Sequence, residues 1–225
     1  MSSTAPAAPS GAAARPAQDA LVVGFDLDMT LIDSRPGIQA VYELLSAETG
    51  VAIDGALAVT RLGPPVEQEL AHWAPAERIA ALADRYRELY VEHGVAGCAP
   101  LPGAREALAA VRALGGRTLV VTGKHTPNAR LCLDAAGLDD LVDEVFGNVF
   151  AEQKSVVLRA EGAGVYVGDH RGDMIAARGA DAFGVGVATG PYSAEELRAE
   201  GADAVLPDLT GFPAWLSAHR AAAPR

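Results

Sequence analysis

The chain is short of aromatic residues, cysteine, lysine and net positive charge, and each shortage removes a class of function. Aromatics make up 5% of 225 residues, so Ala, Val and Leu have to build the core. Eighteen Lys and Arg face 29 Asp and Glu, for a net charge of −11. That balance lacks the basic footprint that nucleic acid or an anionic membrane surface requires. The two cysteines, Cys98 and Cys132, have no metal-ligand spacing and read as free thiols, with a single disulfide as the alternative. No apolar run approaches the ~20 residues of a membrane span. The N-terminus lacks the charged flank and apolar centre of a secretory signal. The expectation is a cytoplasmic protein without nucleic-acid or membrane partners, a monomer by default with a dimer left open.

Residues 1–19 are rich in Ala, Pro, Ser and Gly and offer little to offset the entropy of ordering, so they are predicted to be a disordered tail. Beyond them, short apolar strands alternate with helical patterns. The strands are Leu21–Phe25, Arg117–Val121, Asp143–Phe146, Val165–Val167, Gly184–Ala188 and Ala204–Leu206. Helical spacing occupies Ala104–Leu114, Pro127–Ala136, Lys154–Glu161, Asp173–Gly179 and Ala194–Glu200. This alternation predicts an α/β fold, a Rossmann-like, mostly parallel sheet sandwiched between helices. One stretch interrupts it. Between the first and second strands lie helical patterns at Gly37–Thr49, Pro65–Trp73 and Ala76–His93, closed by the hinge-like Pro100-Leu101-Pro102-Gly103. The predicted organisation is a core of residues 20–34 and 100–225 with a helical insert at 35–99. Asp33-Ser34 is the expected hinge into the insert.

The densest chemical signal is the run Leu21–Ser34, where an apolar strand stops on two aspartates. Side chains alternate along a strand, so Asp26 and Asp28 point to the same side, and their clustered charge calls for a cation. Ligands in open parallel sheets bind beyond the carboxyl ends of the strands. At those ends stand Thr30, Thr122-Gly123-Lys124, and Asp169 with Asp173 in the run GDHRGDM; Lys154 opens a helix. Singly, each reads as a turn, a cap or a solvated side chain. Together they make a site.

Their order and spacing resemble the haloacid dehalogenase-like superfamily, in its phosphoglycolate phosphatase and β-phosphoglucomutase branch. The D-x-D-x-T motif stands here as Asp26-Leu27-Asp28-Met29-Thr30, the hydroxyl residue as Thr122, the lysine as Lys154 and the acidic pair as Asp169 and Asp173. Met29 replaces a glycine common in the family. Ser155 follows the lysine where the branch favours proline, which leaves Lys124 as a second candidate for that role.

The resemblance implies an inserted α-helical cap domain over a three-layer core. It also implies a Mg²⁺-dependent phosphomonoester hydrolase acting on a small phosphorylated metabolite through an aspartyl-phosphate. Asp26 would be the nucleophile, and Asp28 the acid and then the base, kept protonated at the first step by neighbouring carboxylates. The metal would sit on Asp26, the Asp28 carbonyl and Asp169. Thr122, Gly123 and Lys154 would hold the phosphoryl group, and Asp173 would orient Lys154 or a water. Arg61, in the loop Val59–Pro65 of the insert, would contact a further anionic group of the substrate. His72 and His93 are expected on helix surfaces and His125 at a helix start near the site. His170 is expected to act through its backbone. A sugar-phosphate mutase of the same family and a phospho-accepting signalling domain are the alternative readings.

Overall fold

The computed structural model describes residues 21–222, so the predicted tail at 1–19 lies outside the described residues. Strand β1 (Val22–Phe25) is buried along its whole length and leads through a tight turn into the two-residue β2 (Ile32–Asp33). Helices α1 (Arg35–Thr49), α2 (Gly55–Ala58), α3 (Val66–Leu70) and α4 (Ala76–Leu89) follow, and the chain returns through β3 (Ala99–Pro100). The core then continues as α5 (Ala104–Ala113), β4 (Arg117–Val121), α6 (Thr126–Ala135), β5 (Glu144–Phe146) and α7 (Glu152–Glu161). It closes with β6 (Val165–Gly168), α8 (Arg171–Gly179), β7 (Phe183–Val187), α9 (Ala194–Ala199), β8 (Ala204–Leu206) and α10 (Phe212–Ala222).

Six strands form one parallel sheet in the order β5-β4-β1-β6-β7-β8. Strand β1 lies inside the sheet, and successive strands are added first on one side of it and then on the other. A crevice therefore opens at its carboxyl end, where the crossovers diverge. The period of two along β1 divides the core. Val23 and Phe25 face one buried cluster with Leu108, Phe212 and Leu216, while Val22 faces another with Leu119, Leu158 and Tyr166. No helix among the described residues is long and apolar enough to cross a membrane.

All six predicted strands are present, and the α/β sandwich is the observed fold. Three features escaped sequence reading. The pattern at Ala76–His93 is not one α-helix: α4 ends at Leu89 and the chain widens into a π-turn at Tyr90–Gly94. Helix α10 covers the sheet with Phe212, whose ring meets Phe25 edge-on at 5.4 Å. The two linkers of the helical segment pair antiparallel, Ile32 with Pro100 and Asp33 with Ala99. Cys98 and Cys132 are free thiols in contact at 2.9 Å, both within reach of the Tyr90 hydroxyl.

Helix α1 is pressed against the π-turn at glycines. A Cβ on Gly37 would stand 2.0 Å from the Gly94 carbonyl oxygen, whereas one on Gly50, left-handed at φ 69°, would touch nothing. Gly37→Ala is expected to lower unfolding stability by about 1–3 kcal/mol through overpacking, and Gly50→Ala by ~1 kcal/mol through backbone strain alone. Urea titrations of the two variants would check the order, and equal losses would show that the close approach carries no energy.

Candidate active site

Asp26 ends β1 with its main-chain N–H bonded to the Val167 carbonyl at 2.8 Å, so β6 fixes its position. The chain then folds into a turn in which Leu31 and Ile32 donate to the Leu27 carbonyl at 2.9 and 3.1 Å. The turn holds Met29 at φ 62°, a conformation that costs a non-glycine residue roughly 1–2 kcal/mol. Its side chain is buried, and its carbonyl accepts from the Thr189 hydroxyl at 2.5 Å. Thr30, on the same turn, donates to Asp169 at 2.9 Å.

The chain has two lysines, and both converge here on different aspartates. Lys154 Nζ lies 2.8 Å from Asp26 and 2.7 Å from Asp173, fully buried beside the Tyr166 ring. Lys124 Nζ lies 2.8 and 3.1 Å from the two carboxylate oxygens of Asp28 and 4.5 Å from the centre of the Tyr90 ring. The Ser34 hydroxyl also donates to Asp28. Ser34 occupies the N-cap of α1, yet its side chain caps no helical N–H. It gives up a contact worth ~1 kcal/mol to hold that carboxylate.

Burial sets the charge states. It raises the Asp26 carboxyl to about 7 against the pull of Lys154, and raises Asp169 well above the usual range, with Asp26 and Asp173 adding to the effect. Burial also pulls Lys154 down, but Asp173 and Asp26 outweigh it and leave the ammonium firmly protonated. The Lys124 ammonium is likewise held above its ordinary value, Asp28 overcoming its burial. Burial lowers His170, which favours the neutral ring.

Helix α8 opens on a reciprocal cap that also positions the acids. The His170 N–H donates to Asp173 at 3.0 Å, and the Gly172 N–H donates to His170 Nδ1 at 2.9 Å. The imidazole thus serves as well as the backbone. Thr122 is buried at the end of β4, its hydroxyl accepting from the Lys124 N–H at 3.2 Å. A Cβ on Gly123 would lie 2.6 Å from the Gly63 carbonyl, and one on Gly63 would lie 3.0 Å from the His170 ring. The loop at Gly63 therefore lies directly over the strand ends.

Oxygens of Asp26, Asp169 and Asp173 lie within 4.8 Å of one another, all buried. Three hard carboxylate donors with one ammonium beside them fit a Mg²⁺-type cation. The Asp28 carboxylate belongs to the Lys124 and Ser34 contacts instead. Neighbouring carboxylates were expected to keep Asp28 protonated, but its direct partners are an ammonium and a hydroxyl.

Arg61 is not in this cluster. It is bound to Glu69 at 2.5 and 3.2 Å and lies over the Trp73 ring, lining a separate cavity with His72, His170 and Tyr192. His93 is half-exposed beside Glu92. His125 stands at the N-cap of α6 and lines a cavity of about 60 Å³ that also contains Asp28 and Lys124. The opposite wall is Tyr42, Tyr86, Arg87 and Tyr90 from α1, α4 and the π-turn. Sequence reading missed Arg87, Tyr90 and Tyr166. On an amphipathic helix Arg87 has the same local pattern as the surface-paired Arg85, and only the π-turn brings Tyr90 inward.

Comparison with known proteins agrees with this arrangement. The family model for haloacid dehalogenase-like hydrolases matches residues 23–187. A phosphoglycolate phosphatase from Yersinia pestis is 30% identical over 182 residues, spanning 70% of this chain and 76% of its own. A crystal structure titled as a predicted phosphatase from Clostridium acetobutylicum superposes with TM-score 0.78 at 21% identity, covering 88% of this chain and 99% of that one. A hydrolase from Pseudomonas syringae gives 0.72 at 23% identity, covering 90% and 100%. These two structures speak for the fold; the family match, spanning the strand ends that carry Asp26, Thr122 and Asp169 and the helix that carries Lys154, places the chain in the haloacid dehalogenase-like hydrolase family.

Proposed function

We propose that the protein is a Mg²⁺-dependent phosphomonoester hydrolase that forms an aspartyl-phosphate on Asp26. The observation that supports it best is the unequal placement of the two aspartates at the end of β1. Asp26 sits among Lys154 and the acidic trio, while Asp28 faces the cavity beneath the helical segment. On this reading Asp26 is the nucleophile and Asp28 the proton-transfer group.

The Asp26 carboxylate would attack phosphorus, forming a carboxyl O–P bond as the ester P–O bond breaks. The leaving oxygen would take its proton from Asp28. Asp28, again a carboxylate, would take a proton from the water that attacks phosphorus, releasing inorganic phosphate and restoring Asp26. Since Lys124 and Ser34 donate to Asp28 in this arrangement, it is poised for the base step, and Lys124 has to move toward another anion before the acid step. Thr122 would donate its hydroxyl to a phosphoryl oxygen. Lys154 keeps Asp26 and Asp173 in register. Asp26, Asp169 and Asp173, with the Asp28 carbonyl, are the residues to hold Mg²⁺, which when bound supplies neutralisation of the phosphoryl charge.

Residues 35–99 form, on this reading, a cap over the core of 20–34 and 100–225, closing at the Gly63 loop. The substrate is a small phosphorylated metabolite, and relatives named phosphoglycolate phosphatases favour a carboxylated alkyl phosphate. A monomer in the cytoplasm completes the proposal.

With Mg²⁺ and a panel of phosphomonoesters, the wild type is expected to turn over many times. Asp26→Asn and Asp28→Asn should each lose at least roughly 10³-fold in kcat. Full activity in Asp26→Asn would overturn the nucleophile assignment, and a single stable phosphorylation without turnover would favour a phospho-accepting signalling domain.

Burial of Asp26 also fixes the sign of a pH effect. Burial raises its carboxyl from the ordinary value near 3.8 to about 7 in the fold. Between those values the folded chain holds a proton that the unfolded chain has released, so this group's contribution to stability falls as pH rises. In EDTA, the melting temperature of Asp26→Asn relative to wild type should rise from pH 5 to pH 8. Differential scanning fluorimetry would check it; a gap independent of pH would show that Asp26 is ionised throughout. Mg²⁺ should stabilise the wild type more at pH 8 than at pH 5, because binding needs the carboxylates free of protons.

A further inference from the structure

Two residues that line the cavity beside Asp28 each carry a buried nitrogen without a hydrogen-bond partner among the described residues: Arg87 Nε and His125 Nδ1. Leaving such a group unmet costs about 1–3 kcal/mol, and here two of them belong to residues that wall one space. Arg87 is held in place for that task. Its terminal nitrogens are bound to Asp84 at 3.0 Å and to Glu67, and its own carbonyl accepts from Asn128 of the core at 3.3 Å. The guanidinium is thus fixed from both sides with Nε left over. His125 approaches from the core, one residue beyond Lys124, whose only carboxylate partner is Asp28. The space is about 60 Å³, walled by the packed rings of Tyr42, Tyr86 and Tyr90 at centroid spacings of 4.8 and 5.8 Å. A group of two or three carbons is of a size to enter it.

We infer that Arg87 and His125 are specificity-determining residues that bind a carboxylate on the leaving group of a small phosphate ester. The inference rests on the phosphatase reading for the word leaving, and on the cavity for the rest. With the phosphoryl group at Asp26, the alkyl portion passes Asp28 and its carboxylate meets Arg87 Nε, His125 and the Lys124 ammonium. That carboxylate supplies the second anion that Lys124 needs in order to release Asp28.

The test compares kcat/KM for 2-phosphoglycolate and ethyl phosphate, which match in length and differ in the carboxylate. Wild type should favour the carboxylated ester, and Arg87→Gln and His125→Ala should each reduce the preference roughly tenfold or more, mainly through KM. Arg87→Lys, which retains charge and anchoring but moves the donor, should reduce it as well and guards against misfolding in Arg87→Gln. Arg85→Ala, at a surface ion pair with Glu48, should leave the preference unchanged. An equal loss on both esters, or a wild type indifferent to the carboxylate, would overturn the assignment while leaving the phosphatase intact. Calorimetric binding of 2-phosphoglycolate to Asp26→Asn, with and without Arg87→Lys, separates the two readings. Weakening of about tenfold together with a wild type that hydrolyses no ester would keep the subsite and remove the phosphatase; equal affinities would remove the subsite.

Discussion

The arrangement depends on one electrostatic constraint, the neutralisation of carboxylates buried at the end of β1. Asp26, Asp169 and Asp173 are all nearly inaccessible, and Lys154 is the one ammonium among them. Three carboxylates beside one cation leave a surplus of negative charge in a medium that disfavours it. The fold handles the surplus in two ways. Donors are supplied where they can be: Thr30 to Asp169, the His170 N–H to Asp173, and Lys154 to Asp26 and Asp173. What remains appears as protons, with Asp26 and Asp169 pushed upward by burial. The crowding of the three carboxylates and the protons they retain thus share one origin, their burial together at the end of β1.

Sheet order converts this constraint into a position. Because β1 lies between β4 and β6, the residues following those three strands meet although 147 positions separate Asp26 from Asp173. The lysine arrives from α7, outside the strand ends, and reaches back across Tyr166, whose hydroxyl is anchored on the Val121 carbonyl at 2.7 Å. Tyr166 belongs to the apolar cluster on the far side of the sheet. The buried acidic cluster and the core packing are therefore joined through one ring.

Strand ends were legible in the sequence because short apolar runs that stop on Asp, Thr or Gly have few other readings. That Asp26, Lys154, Asp169 and Asp173 meet in one cluster, with Thr122 at the end of the neighbouring strand, followed from topology. Which lysine serves which aspartate did not, since Lys124 and Lys154 are both strand- or helix-end lysines and only side-chain reach separates them. Arg61 looked free in a Gly/Pro-rich loop, but Glu69 eight residues later folds back onto it, a contact no local pattern announces. Arg87 had the opposite fate, concealed on a charged helix face and turned inward by the packing of α4. The paired linkers were invisible for a simpler reason. A two-residue strand containing Pro100 has no period to read.

Those linkers bear on how the helical segment communicates with the chemistry. Asp33 pairs with Ala99, and the next residue, Ser34, both begins α1 and donates to Asp28. A serine at that position ordinarily caps its helix, and here the carboxylate has taken its hydroxyl. Any rotation of α1 about the β2–β3 pair changes the Ser34–Asp28 contact, and movement of the π-turn shifts Tyr90 away from Lys124, the other partner of that carboxylate. Asp28 is consequently the one acidic residue of the group whose partners come from the helical segment as well as the core, whereas Asp26, Asp169 and Asp173 are held by core elements alone. The difference within the D-x-D pair is thus one of attachment: Asp26 is held by core elements through Lys154 and β6, and Asp28 is tied also to the start of the helical segment through Ser34.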